Sequence, residues 1–264
     1  MKSRMLPLTF SRRISRSLSV ALLASAVCWA QEPLARPATL PALTPTPASA
    51  TGSGNVVTSF VRDWAQDQKR FALSPFHMKK ERAFGVVLPL AVTTFALTYA
   101  DADAGRYPKT RPNLRKASNY ISAVGAGYTL GGLTLGTLLY GHANKDSETM
   151  KMGRNGMLAL AGGWADNYAL KFAFGRERPS SGDGEGGFWK GKSSFPSGHA
   201  LTTFAAASAI AHTKGCPKWV KITSYSVAAA VSFARWGAHR HYPSDILAGV
   251  TLGYFMGKSV AANH

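Results

Sequence analysis

An all-α fold, a helical bundle of about six core helices associated with a membrane, is what this sequence predicts. Three observations predict it. Residues 83–100 and 121–144 are uncharged runs that approach or exceed the roughly 20 residues needed to cross a bilayer. Residues 156–178, 200–211, 222–234 and 246–257 are further apolar segments, the first of them carrying Asp166 and Lys171. Glycine and other small residues, dense in 121–144, allow helices to approach closely. A chain of 264 residues without an internal repeat can bury one full helical core. The mean hydropathy of −0.06 is low for six spanning helices, so a soluble bundle with a very apolar core is the alternative architecture.

The first thirty residues carry Lys2, Arg4, Arg12, Arg13 and Arg16 and no acidic side chain, and residues 18–30 are uncharged. Residues 1–30 are therefore expected to be an export signal. Cys28 and Ala30 are small at the offsets that cleavage requires, which puts the mature start near Gln31; an uncleaved anchor is the alternative. Residues 31–55, rich in Pro, Ala, Thr, Ser and Gly, read as a disordered linker, and residues 56–264 as the functional domain. Within it, 56–82 places Trp64, Phe71 and Phe76 as on an amphipathic helix, either packed on the domain or lying on a membrane surface.

The formal charge of +18 favours anionic substrates and anionic lipid headgroups. Nucleic acid is not the expected partner, because the basic residues are scattered among apolar segments without a recognition motif. With Cys28 removed on export, Cys216 stands alone, so no internal disulfide is expected. No His, Cys or carboxylate cluster has metal-ligand spacing, which predicts a reaction without metal or cofactor.

Three short stretches carry the chemistry: Lys171-x6-Arg178-Pro179, Pro196-Ser197-Gly198-His199, and Arg235-x5-His241-x3-Asp245. Together they supply cations, histidines, a carboxylate and a Gly-flanked Ser, an inventory suited to a tetrahedral oxyanion, most simply phosphate. If 164–178 is helical, Lys171 and Arg178 are separated by about 700° of rotation and share a face, able to clamp one anion. Arg235 adds a planar fork that can make two parallel bonds to phosphate oxygens. Ser197 and Gly198 precede an expected helix whose free N–H groups face the same anion, and Gly198 lets the main chain come close. The spacing of His241 and Asp245 lets the carboxylate take one ring N–H and leaves the other nitrogen's lone pair for phosphorus, so His241 is the candidate nucleophile. His199 is left to protonate the leaving oxygen and later to activate water.

These residues resemble the signature of the type 2 phosphatidic acid phosphatase superfamily, which also holds bacterial non-specific acid phosphatases and vanadium haloperoxidases. The resemblance covers roughly residues 85–260, with its diagnostic part in 171–245. It implies that Lys171, Arg178 and Arg235 hold phosphate with Ser197 and the Gly198 backbone, that His199 is the acid and base, that His241 forms a phosphohistidine, and that Asp245 orients it. One departure is Ala234, where the family usually has Ser, a change expected to alter packing or an outer hydrogen bond.

Other titratable residues are read as structural: His77, His142, His212 and His239, with Glu177 and Asp166 pairing with nearby cations. The Gly-rich stretch 180–195, with Phe188 and Trp189, is either a lid touching an apolar leaving group or a passive connector. The sequence thus predicts a metal-independent phosphatase of the cell envelope, in the inner membrane with a periplasm-facing site or in the periplasm. Its substrate would be a phosphomonoester or pyrophosphate, preferentially of a lipid. A soluble broad-specificity acid phosphatase, a vanadium haloperoxidase and a non-catalytic envelope protein are the alternatives.

Overall fold

The computed structural model describes residues 55–181 and 184–264. The expected export signal, its cleavage point and nearly all of the linker lie outside these residues. Asn55, the last residue of that linker, already caps helix α1 (Val56–Leu73) by accepting the Val57 N–H on its side chain at 3.3 Å.

Helix α1 is packed on the bundle. Its Phe60, Trp64 and Phe71 lie against Leu158, Ala159, Ala205, Ala209, Met256 and Val260, while Phe76 falls in a separate short 3-10 turn and is exposed. Polar links fasten the same helix. Asp63 pairs with Arg154, Gln68 Nε2 donates to Asp166 at 2.9 Å, and Asn263 Nδ2 donates to Asp67 at 2.8 Å. Asp166 thus takes an amide donor where a cation was expected.

Helix α2 (Lys80–Thr98) contains the first uncharged run and a π turn at Ala83–Val87. Among the described residues it is the helix long and apolar enough to cross a membrane. A short α3 (Asp101–Lys109) follows. The second uncharged run, expected to be one span, is divided between α4 (Pro112–Val124) and α5 (Gly127–Ala143). At the break Ala126 is extended, Gly125 packs closely on Val231 and Thr203, and Gly127 on the indole of Trp164.

Helix α6 (Ser147–Phe174) starts under Asp146, which accepts the N–H groups of Glu148 and Thr149. It stops at Gly175, whose φ of +50° is left-handed and whose N–H donates to the Lys171 carbonyl at 2.9 Å. The helix therefore ends before Arg178, and the shared helix face expected for Lys171 and Arg178 does not form. Helices α7 (Gly198–His212), α8 (Lys218–Gly237) and α9 (Pro243–Asn263) complete the chain. The described residues contain no strand, so the fold is all-α.

Helix α7 is the axis, buried along most of its length and packed on α6, α8 and α9. Gly249, Gly253 and Gly257 of α9 lie against Ala200, Ala205 and Ala209 and the backbone of α7, the close approach that small residues permit. The order of these contacts makes α7 and α9 parallel. Their N-termini therefore meet at one end, where the C-terminal ends of α6 and α8 also arrive.

Candidate active site

That end gathers every residue singled out for chemistry. The Ser197 N–H donates to the Asp245 carbonyl at 2.9 Å, joining the second and third motifs main chain to main chain. Lys171, in the last turn of α6, donates its Nζ to the Ser193 carbonyl. Arg178, in the loop beyond Gly175, reaches the same residue through Nη2, at 3.3 Å to Ser193 Oγ and 3.5 Å to the carbonyl. The two cations thus converge through a loop crossing. Their charges and that of Arg235 also act on His199 and, for Lys171 and Arg235, on His241, so the five groups share one field.

Several buried polar atoms at this end have no protein partner: Ser197 Oγ, Arg235 Nε and Asn167 Oδ1. Buried groups of this kind call for a partner, and a hydroxyl and a guanidinium N–H are donors to an oxyanion. Asn167, buried on α6, lies flat against Gly198. A Cβ there would be 2.9 Å from its Nδ2 and 3.0 Å from its Oδ1, so Gly198 leaves room for the amide as well as for close approach of the main chain.

His241 is 2 % exposed. Its Nδ1 is 2.8 Å from the Ser194 carbonyl and 3.6 Å from Asp245 Oδ2. A carbonyl only accepts, so this contact places the proton on Nδ1 and leaves the lone pair on Nε2. The geometry shifts the direct orienting contact from Asp245, as expected, to Ser194. Burial pushes the His241 imidazole down to about 4, with Arg235 and Lys171 acting the same way and Asp245 opposing.

Asp245 has no exposure and is fully engaged. It accepts from Arg176 Nη1 at 2.6 Å, from Ser194 Oγ at 2.6 Å and from the Tyr242 N–H at 2.9 Å. Arg176 also donates to Ser244 Oγ at 2.7 Å, to the Gly186 carbonyl at 3.0 Å and to Asp101 Oδ2 at 2.7 Å. Its guanidinium is sandwiched by the rings of Tyr242 and Phe188, 4.5 and 4.6 Å from their centroids. Phe188 in turn packs edge-on with Phe174 and Phe195, whereas Trp189 is 78 % exposed. The aromatic pair of the loop is thus split between core and surface.

Sequence reasoning missed Ser194, Arg176, Asp101 and Asn167. The first two sit inside or beside the motif stretches and were passed over as spacer residues. Asn167 lies one helical turn before Lys171, a spacing that puts both on one face. Asp101 lies on another helix far upstream, and nothing local marks it. Among the histidines read as structural, His212 bonds through Nδ1 to the Ser208 carbonyl at 2.9 Å, within its own helix.

The bundle thus carries a cluster of cations and a buried histidine at one end, and known proteins resemble parts of it. Residues 155–263 match the family model described as the PAP2 superfamily. The match begins inside α6, later than the expected start near residue 85. A lipid A 1-phosphatase of Porphyromonas gingivalis is 35% identical over 102 residues, 38% of this chain and 21% of that protein. The chain thus spans about a fifth of the length of this curated relative. Among solved structures, the first transmembrane PAP2 type phosphatidylglycerolphosphate phosphatase from Bacillus subtilis superposes with a TM-score of 0.53 at 22% identity, covering 67% of this chain and 94% of that one. Aquifex aeolicus LpxE gives a TM-score of 0.48 at 21% identity, covering 62% and 96%. The Bacillus likeness establishes the fold, and it extends beyond the family match.

Proposed function

We propose that this chain is a phosphatase that removes phosphate from a lipid phosphomonoester or pyrophosphate through a phosphohistidine on His241, without metal or cofactor. The observation that carries the reading is the Nδ1 contact of His241 with the Ser194 carbonyl, which leaves a free Nε2 lone pair on a ring that stands in the field of Lys171 and Arg235. Phosphate oxygens lie against these cations, Ser197 Oγ and the first N–H groups of α7. Nε2 attacks phosphorus as the bond to the leaving oxygen breaks, and His199 gives that oxygen its proton. Water, losing a proton to His199, then attacks the phosphohistidine, releasing phosphate and restoring both imidazoles.

A lipid substrate is supported by the P. gingivalis relative, named for a lipid A phosphate, and by the outer surface of the bundle. Phe84, Val92 and Phe95 of α2, Leu133 and Leu139 of α5, Phe172 of α6 and Ile222 of α8 are all more than half exposed. Apolar exposure spread over these helices fits a bilayer around the bundle. With the export signal expected in 1–30, the site faces the outer side of the inner membrane or the periplasm.

The test is hydrolysis by the purified protein of phosphatidic acid, an isoprenyl diphosphate, a lipid A phosphate and a water-soluble phenyl phosphate, with halide oxidation by vanadate and peroxide as a separate arm. Release of phosphate from the lipids at the higher kcat/KM is expected. Equal or better turnover of the soluble ester would favour a broad-specificity acid phosphatase, and halide oxidation alone would overturn the phosphatase reading.

A further inference from the structure

Arg176 is 1% exposed, is a spacer residue of the first motif rather than one of its named positions, and makes more charge-assisted contacts than any of those. An Arg–carboxylate cluster this deep is weak grounds for stability, because the cost of desolvating the charges offsets much of their attraction. Its geometry points elsewhere. The side chain holds Asp245 at 2.6 Å, and the main-chain carbonyl of the same residue accepts the Ser194 N–H at 2.9 Å. Ser194 then returns its hydroxyl to Asp245 at 2.6 Å and its carbonyl to His241 Nδ1 at 2.8 Å. Both groups that face Nδ1 of His241 are thereby fixed by one arginine. The far end of that arginine is tied to Asp101 of α3, whose carboxylate also takes the Ser244 N–H at 3.1 Å. Asp101 lies outside residues 155–263, the part matched to the family, so the preceding helices contribute to the site.

We propose that Arg176, anchored by Asp101, is a positioning residue that holds Ser194 and Asp245 in the geometry that aims Nε2 of His241. This rests on the reading of His241 as nucleophile. The links from this network to the phosphate cradle run through main-chain groups, the Ser193 carbonyl that takes Lys171 and Arg178 and the Asp245 carbonyl that takes the Ser197 N–H, so a change confined to the Arg176 side chain leaves them in place and acts first on the nucleophile.

The experiment compares the full chain with Arg176→Lys, Ser194→Ala, Asp245→Asn and the Arg176→Lys/Asp245→Asn double variant. It measures kcat and KM on a phenyl phosphate and the inhibition constant of orthophosphate. Arg176→Lys is expected to lower kcat by about tenfold to a hundredfold, the range for a misplaced reacting group, and to leave the orthophosphate constant within about twofold. In the Asp245→Asn background the same change should cost little more, since its route to His241 is already cut. A parallel loss of orthophosphate affinity, an undiminished kcat, or a full further loss in the double variant would each overturn the proposal. Should Arg176→Lys not fold, Ser194→Ala removes a single oxygen of the same link and is expected to give the same split; unchanged kcat there overturns it equally. Should the wild type hydrolyse no phosphoester, the proposed function fails by itself. The ¹⁵N shifts of His241 then decide the positioning claim: a pure Nδ1–H tautomer in the wild type and a mixture in either variant supports it, and no change overturns it.

Discussion

The Ser194 carbonyl, at 2.8 Å, is nearer to His241 Nδ1 than the Asp245 carboxylate at 3.6 Å. A neutral acceptor therefore sets the tautomer, and the carboxylate acts on the ring as a buried charge. Both groups face the same ring nitrogen, while burial of the ring opposes the charge that Asp245 would favour, and this sets up the pH behaviour.

His241 acts as a nucleophile only when neutral. Because burial outweighs Asp245 and lowers its value from 6.5 to about 4, the neutral form persists as pH falls and is lost only near pH 4. The acid limb of kcat/KM, corrected for the ionisation of the substrate phosphate followed by ³¹P NMR, should therefore lie near 4. A limb near 6.5 assigned to His241 would show that Asp245 fully offsets burial.

The two histidines should separate in a trapping experiment. His241→Ala should abolish turnover of every ester, since no neighbouring group can take over the covalent step. His199→Ala should still phosphorylate His241 from an ester with an activated phenolate leaving group, where acid assistance matters least, and then accumulate the phosphoenzyme. Rapid acid-free quenching and peptide mapping read the label; finding it on another residue contradicts the assignment.

Arg235 offers a fork where a lysine offers a point charge. Arg235→Lys should lower activity by on the order of a hundredfold if two charge-assisted bonds of about 1.5 to 3 kcal/mol are disturbed. Steady-state kinetics of the folded variant check this, and near wild-type turnover would mean that charge alone suffices.

Gly198→Ala should be costly for a reason distinct from backbone freedom. The new Cβ would stand 2.9 Å from Asn167 Nδ2, and overpacking of this kind costs about 1 to 3 kcal/mol. Thermal unfolding should show the loss, and Asn167→Ala in the same chain should recover most of it by vacating the space. A Gly198→Ala protein as stable as wild type would place the amide elsewhere.

Helix content and the residues that gather at the candidate site were legible in the sequence because both are local. Uncharged runs mark helices, and Lys171, Arg178, Ser197, Gly198, His199, Arg235, His241 and Asp245 stand in short motifs whose residue types state their chemistry. Helix ends were less legible. The run 121–144 reads as one span, yet it breaks at Gly125 and Ala126, where Gly125 and Gly127 pack closely on Val231 and Trp164, far away in sequence. Gly175 ends α6 and turns a predicted helix face into a convergence of helix and loop. The support of His241 was not legible at all. Ser194 acts through its backbone carbonyl, which every residue has, and Asp101 becomes part of the site only when α3 folds across the start of α9. A side chain's identity is written in the sequence, but the partner that desolvates, orients or neutralises it is chosen by packing between distant segments, and only the tertiary structure decided that Arg176 and Asp101 stand behind His241.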